Sequence, residues 1–101
     1  MWWVDLDPTR GGGIRKTRPA VILSVDALNR ARRTVVVVPL SSSPAPRPPI
    51  VIPTPSAGAD SVAVCDQARA VDKGRFARRQ GRLSDADLWA VEDGVRTVLG
   101  L

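Results

Sequence analysis

The chain of 101 residues has no histidine. That removes histidine-liganded zinc, the Ser-His-Asp triad and the paired-histidine route to phosphodiester cleavage. Any chemistry must run on arginine, lysine, serine, threonine, aspartate or glutamate. A single cysteine, Cys65, excludes an intrachain disulfide and a cysteine-cluster metal site. Long apolar runs are also missing. The longest, residues 35–40, contains Pro39 and falls far short of the roughly 20 residues that a bilayer span needs. Met1 is followed by two tryptophans and acidic residues, with no basic and apolar leader pattern, so no signal peptide is expected.

What is present fits one small globular domain over residues 1–101. The composition is ordinary for a folded protein, 44% hydrophobic and 25% charged. The net charge of +5 is unevenly spread. Residues 10–47 hold eight basic residues and one acid, and residues 69–82 hold six basic residues and one acid. The remaining stretches are acidic. Thirteen of the fifteen cations are arginine, whose planar fork matches phosphate. If the fold joins the two basic segments, the result is a surface that attracts polyanions. A merely solvated basic surface is the alternative.

Residues 2–7 alternate, with Trp2, Val4 and Leu6 on one face, which predicts a half-buried strand ended by Asp7-Pro8. A glycine-rich basic loop runs to Pro19. Residues 20–25 read as a second strand, and 26–33 as a polar connection of about one helical turn. Residues 34–40, with four consecutive valines, read as a third strand buried on both faces. Six prolines in residues 44–56 predict an extended connection with an edge strand at 50–52. Residues 61–71 read as a strand, 72–79 as a short helix and 81–83 as a brief strand. Ser84 and Asp87 form a capping-box pattern. Leu88, Val91, Val95 and Val98 then share one face of a helix that Gly100 stops. Gly94 weakens that helix by about 1 kcal/mol relative to alanine. Strands first and one long helix last predict an α+β fold around a small, mostly antiparallel sheet.

Four places can carry chemistry. Arg15, Lys16 and Arg18 follow three glycines and form either a phosphate-binding loop or a solvated basic hairpin; P-loop spacing is missing. Ser41, Ser42 and Ser43 lie where a rigid strand ends, without a histidine to activate them. Asp66 and Gln67 pair a carboxylate with a carboxamide, suited to reading a nucleobase edge or to pairing with Arg69. Trp3, opposite in facing to Trp2, suits an interface or a ligand, whereas Trp2 and Cys65 suit the core.

Several motifs then stand in a recognisable order. Trp2-Trp3-Val4-Asp5-Leu6-Asp7-Pro8-Thr9-Arg10-Gly11 is followed by Lys16-Thr17-Arg18-Pro19-Ala20-Val21. Next come the valine strand ending in Pro39-Leu40-Ser41-Ser42, then Cys65-Asp66-Gln67-Ala68-Arg69, then Gly81-Arg82-Leu83-Ser84 and the last helix. In this order the chain resembles the MazF/PemK (Kid) toxins of bacterial toxin–antitoxin pairs along nearly its whole length. The resemblance implies a small, strongly curved antiparallel sheet, like an SH3 barrel, with a C-terminal helix. It implies a cytoplasmic homodimer that cuts single-stranded RNA within short sequences, without metal or other cofactor. The products would be a 2′,3′-cyclic phosphate or 3′-phosphate and a 5′-hydroxyl. A cognate MazE-like antitoxin with an acidic tail would neutralise the toxin. DNA would be touched only through the toxin–antitoxin complex, and no membrane is involved.

Carried over residue by residue, the resemblance puts the catalytic arginine at Arg18, the strand-end hydroxyl at Ser41 and the implicated acid at Asp66. Arg15, Lys16, Thr17, Ser42, Gln67 and Arg69 fall at RNA-binding positions. The chemistry agrees: the substrate's 2′-hydroxyl attacks phosphorus, Arg18 stabilises the phosphorane and Ser41 donates a hydrogen bond. Asp66 serves either as a base or to orient Arg18. Gly12-Gly13 replaces a Ser-Glu or His-Glu pair common in relatives, and Val64 replaces an arginine of Kid-type members. Two other functions belong with this fold: a gyrase-poisoning toxin like CcdB, and an inactive RNA- or antitoxin-binding relative. The first acts through its C-terminal tryptophan, which the Val98-Leu99-Gly100-Leu101 ending lacks.

Overall fold

The computed structural model describes residues 1–6, 17–42 and 44–101. Residues 7–16, which include Arg15, Lys16 and the three glycines, and Ser43 lie outside the described residues. The elements follow in chain order as β1 (Trp2–Asp5), β2 (Thr17–Ile22), α1 (Asp26–Ala31), β3 (Thr34–Ser41), β4 (Val51–Pro53), β5 (Val62–Val64), β6 (Arg69–Asp72), β7 (Phe76–Arg79) and α2 (Asp85–Leu99). All strand pairs are antiparallel. They form one seven-stranded sheet in the order β4-β5-β3-β2-β1-β7, with β6 also paired to β3. The α+β class, the antiparallel sheet and the C-terminal helix all agree with the reading of the sequence.

Strand β3 is the axis of the fold. Its valines are buried on alternate faces because the sheet has a core on each side. Val38 and Leu40 join Val21, Ala63, Cys65, Leu83 and Val91 in the layer that α2 covers. Val35 and Val37 join Val4, Ala20 and Val71 in the layer on the other face, where Trp2 and Phe76 pack around them. Each valine fully removed from water contributes about 1.5–3 kcal/mol. The curl brings distant strands together: the Arg69 guanidinium donates to the Leu6 carbonyl at 3.1 Å, although β6 and β1 are not paired.

Several boundaries differ from the sequence reading, each for a physical reason. Strand β2 begins at Thr17 and ends at Ile22, earlier than residues 20–25, because it pairs with β1 from residue 17. Pro19 is tolerated where β2 has a partner strand on one side only; pairing with β3 starts at Ala20. The strand expected over 61–71 breaks into β5 and β6 around a tight turn, Cys65–Gln67. The break arises because β5 pairs with the end of β3 and β6 with its start. Residues 72–79 are not a helix. The Asp72 carboxylate accepts the Gly74 N–H at 2.7 Å, closing a turn, and Phe76 then pairs with Val4 as part of β7. Residues 81–83 form no strand; the Gly81 carbonyl accepts from the Met1 amino group at 2.7 Å, and Leu83 enters the core. The edge strand, the short polar helix α1 and the long last helix stand where they were expected.

Helix α2 starts at Ser84, whose hydroxyl accepts the Asp87 N–H at 3.1 Å. The box closes through a third residue. The Asp87 carboxylate accepts both the N–H and the hydroxyl of Ser56, and the Ser84 N–H donates to the Ser56 hydroxyl at 3.0 Å. The helix N-terminus is thereby tied to the turn Pro55–Ala57. Gly94 is buried, and a Cβ there would meet Cys65 Sγ at 2.7 Å, so glycine lets the helix approach the sheet closely. Val98, expected in the buried stripe, is 37% exposed near the end of α2, and its neighbour Leu99 is 62% exposed.

Candidate nucleic-acid interface

Two open grooves meet at the end of β3. One, of about 610 Å³, runs between β1, β2 and the segment 57–61. The other, of about 560 Å³, runs between β2, residues 44–51 and the turn Cys65–Gln67. Arg18, Leu40 and Ser41 border both. Each position follows from local structure. Arg18 sits near the start of β2, opposite Val4, and is exposed. Ser41 is the last residue of β3, opposite Val62. Asp66 and Gln67 project from the turn that splits β5 from β6, and both are exposed walls of the second groove.

The structure therefore brings Arg18, Ser41, Asp66 and Gln67 around one groove, and places Thr17 and Ser42 in the other. Arg69 lines neither; its guanidinium is committed to the Leu6 carbonyl. Arg15 and Lys16 lie outside the described residues. Cys65 belongs to the core, 1% exposed, and its thiol is pushed up to about 11 by burial and by the neighbouring Asp66. It is a packing residue and not a nucleophile.

Among the described residues, no carboxylate lies within ion-pair distance of Arg18 or Arg47. Strand β1 stands between β2, from the first basic segment, and β7, from the second, so the fold does join the two. Among the described residues, no three acidic or thiol groups gather as a metal site. The arrangement suits a phosphodiester held by a guanidinium and a hydroxyl, with a carboxylate and a carboxamide beside it.

The sequence reading missed Arg47 and Asp60 as groove walls. Arg47 is carried by the proline-rich segment, and Asp60 by the loop that leads into β5. That loop is closed by the Thr54 hydroxyl, which donates to the Ser61 hydroxyl at 2.9 Å, and is tied to α2 by the Ser56 contacts. No local pattern announces such bonds. Trp3, read as suited to a ligand or an interface, does border the first groove.

Comparison with known proteins agrees with this geometry. A family model described as "PemK-like, MazF-like toxin of type II toxin-antitoxin system" matches residues 1–99. Endoribonuclease MazF9 of Mycobacterium tuberculosis is 33% identical, over 100% of this chain and 93% of its own length. Endoribonuclease PemK of Escherichia coli is 34% identical, over 98% of this chain and 78% of its own length. A solved MazE–MazF complex from Deinococcus radiodurans contains a chain that superposes with a TM-score of 0.77 at 26% identity, covering 98% of this chain and 91% of that one. With the family model spanning nearly all residues, and the strand-end serine and the arginine of β2 meeting where two grooves join, the chain belongs to the PemK-like, MazF-like toxins of type II toxin–antitoxin systems.

Proposed function

We propose that this chain is an endoribonuclease toxin that cuts single-stranded RNA at short sequences, without a metal ion. The observation that carries the reading is the meeting of Arg18 and Ser41 at the junction of two grooves, with Asp66 and Gln67 lining one of them. The substrate's own 2′-hydroxyl attacks the adjacent phosphorus, and the 5′-oxygen of the next nucleotide leaves. The products are a 2′,3′-cyclic phosphate and a 5′-hydroxyl end. The protein supplies no nucleophile. Its task is to hold the phosphodiester in line and to stabilise the added negative charge of the phosphorane. Arg18 provides a permanent cation with a bidentate fork. Ser41 donates a hydrogen bond to a non-bridging oxygen. Asp66 takes the proton of the 2′-hydroxyl or fixes the Arg18 fork.

The active unit is a homodimer in the cytoplasm, each chain one domain over residues 1–101. A cognate antitoxin with an acidic tail covers the grooves, drawn by the basic character of a chain with net charge +5. Primer extension on a long RNA treated with the purified protein in EDTA tests the reading. Discrete stops at one recurring short sequence are expected. Intact RNA, or cleavage that appears only when a divalent metal is added, would overturn it.

A further inference from the structure

We propose that Trp3, capped by Arg78, is a base-stacking subsite for a nucleotide flanking the scissile phosphate; this rests on the ribonuclease reading above. The strand register places Trp3 directly between Pro19 of β2 and Arg78 of β7. The guanidinium carbon of Arg78 lies over the indole, 5.6 Å from its centroid. The indole also borders the groove of about 610 Å³ that Arg18 and Ser41 enter.

The interior does not require this tryptophan. Its neighbour Trp2 packs against the core that holds Val4, edge-to-face with Phe76 at 5.7 Å, and Val4 is fully buried. Alternation along β1 turns Trp3 the other way, toward the groove. Trp3 is half-buried and lines the same groove as Arg18, so its exposed part offers a surface on which a base can stack. Arg78 holds the indole by a cation–π contact, which fixes the plane that a base would meet.

The test uses synthetic RNAs that contain the cut sequence, each with an abasic nucleotide at one flanking position, and reads kcat and KM. For wild type, one abasic position raises KM by about 5- to 100-fold, the usual loss of one stacked base. Trp3→Ala and Trp3→Leu raise KM on the intact RNA by a similar factor and become indifferent to that abasic position. Trp3→Leu keeps apolar bulk for folding, and Trp3→Phe restores the discrimination. Arg78→Ala raises KM less. A merely structural tryptophan would lower activity on every RNA without erasing the response to one missing base. Variants as sensitive to each abasic position as wild type would overturn the subsite while leaving the nuclease reading intact. So would a loss of activity that tracks only with dissociation of a dimer in size-exclusion chromatography. A wild-type protein that cuts no RNA would end both.

Discussion

Replacing Gly94 with alanine sets two effects of opposite sign against each other. In an exposed helix the change would stabilise by about 1 kcal/mol. Here the new methyl would lie 2.7 Å from Cys65 Sγ, 3.1 Å from Ile52 Cγ1 and 3.1 Å from the Pro49 carbonyl. The sulfur has little room to yield, since it is 1% exposed and packs against the carbonyls of Ala63 and Val91. Overpacking of this kind costs about 1–3 kcal/mol. The net is a loss of about 1 kcal/mol, which lowers Tm by about 4–8 °C in a domain of this size. Introduced into a Cys65→Ala background, the same change should lose less, with a coupling of about 1 kcal/mol. Thermal unfolding of the four proteins followed by circular dichroism measures both quantities. The strain also reaches the site, because Cys65 opens the turn that carries Asp66 and Gln67. Gly94→Ala should therefore reduce RNA cleavage at temperatures where the variant is still folded. A Tm equal to or above that of wild type would refute the close-packing argument.

Two further outcomes follow from the same geometry. Ser84→Ala removes the helix cap and should cost about 1 kcal/mol in urea unfolding; Ser56→Ala, which breaks the third arm of that cap, should destabilise similarly and weaken substrate binding by loosening the groove wall at 57–61. Cys65 should resist iodoacetamide at pH 8 in the native protein and react only on unfolding, because its folded thiol is pushed up to about 11 from 9.0. The folded form holds its proton longer than the unfolded one, so that stability is fully present below pH 9.0 and is lost as pH rises toward 11. Urea midpoints from pH 8 to 11 should decline more steeply for wild type than for Cys65→Ala.

Much of the fold was legible where one periodicity governs a whole element. The alternation of residues 2–5, the valine run of β3 and the capped stripe of α2 each encode burial locally. The misreadings share one cause, pairing between distant segments. Residues 61–71 carry strand-like residues throughout, yet β3 recruits two strands along its length and forces the turn at 65–67. Residues 72–79 are rich in helix-tolerant residues, yet the Asp72–Gly74 turn and the Phe76–Val4 pairing make them a turn and a strand. Gly94 read as a helix flaw because nothing in its neighbours announces Cys65 across the interface. In the candidate site, the ordered motifs singled out Arg18, Ser41, Asp66 and Gln67, which the fold brings to one groove. Arg47 and Asp60 were not, because only the folded path of the proline-rich and β5-leading segments carries them to the grooves. The role of Arg69 in anchoring the end of β1 likewise depends on the curl of the sheet.

The most direct test of the proposed chemistry is the single-turnover cleavage rate of one short RNA in EDTA by wild type, Arg18→Ala and Ser41→Ala, repeated with a 2′-deoxy nucleotide at the cut. Arg18→Ala and Ser41→Ala should each lower the rate by about 10²-fold or more while remaining folded, and the 2′-deoxy RNA should stay intact with wild type. Arg18→Ala cutting at the wild-type rate, or cleavage at the 2′-deoxy position, would show that the guanidinium and the substrate hydroxyl do not act together on that phosphate.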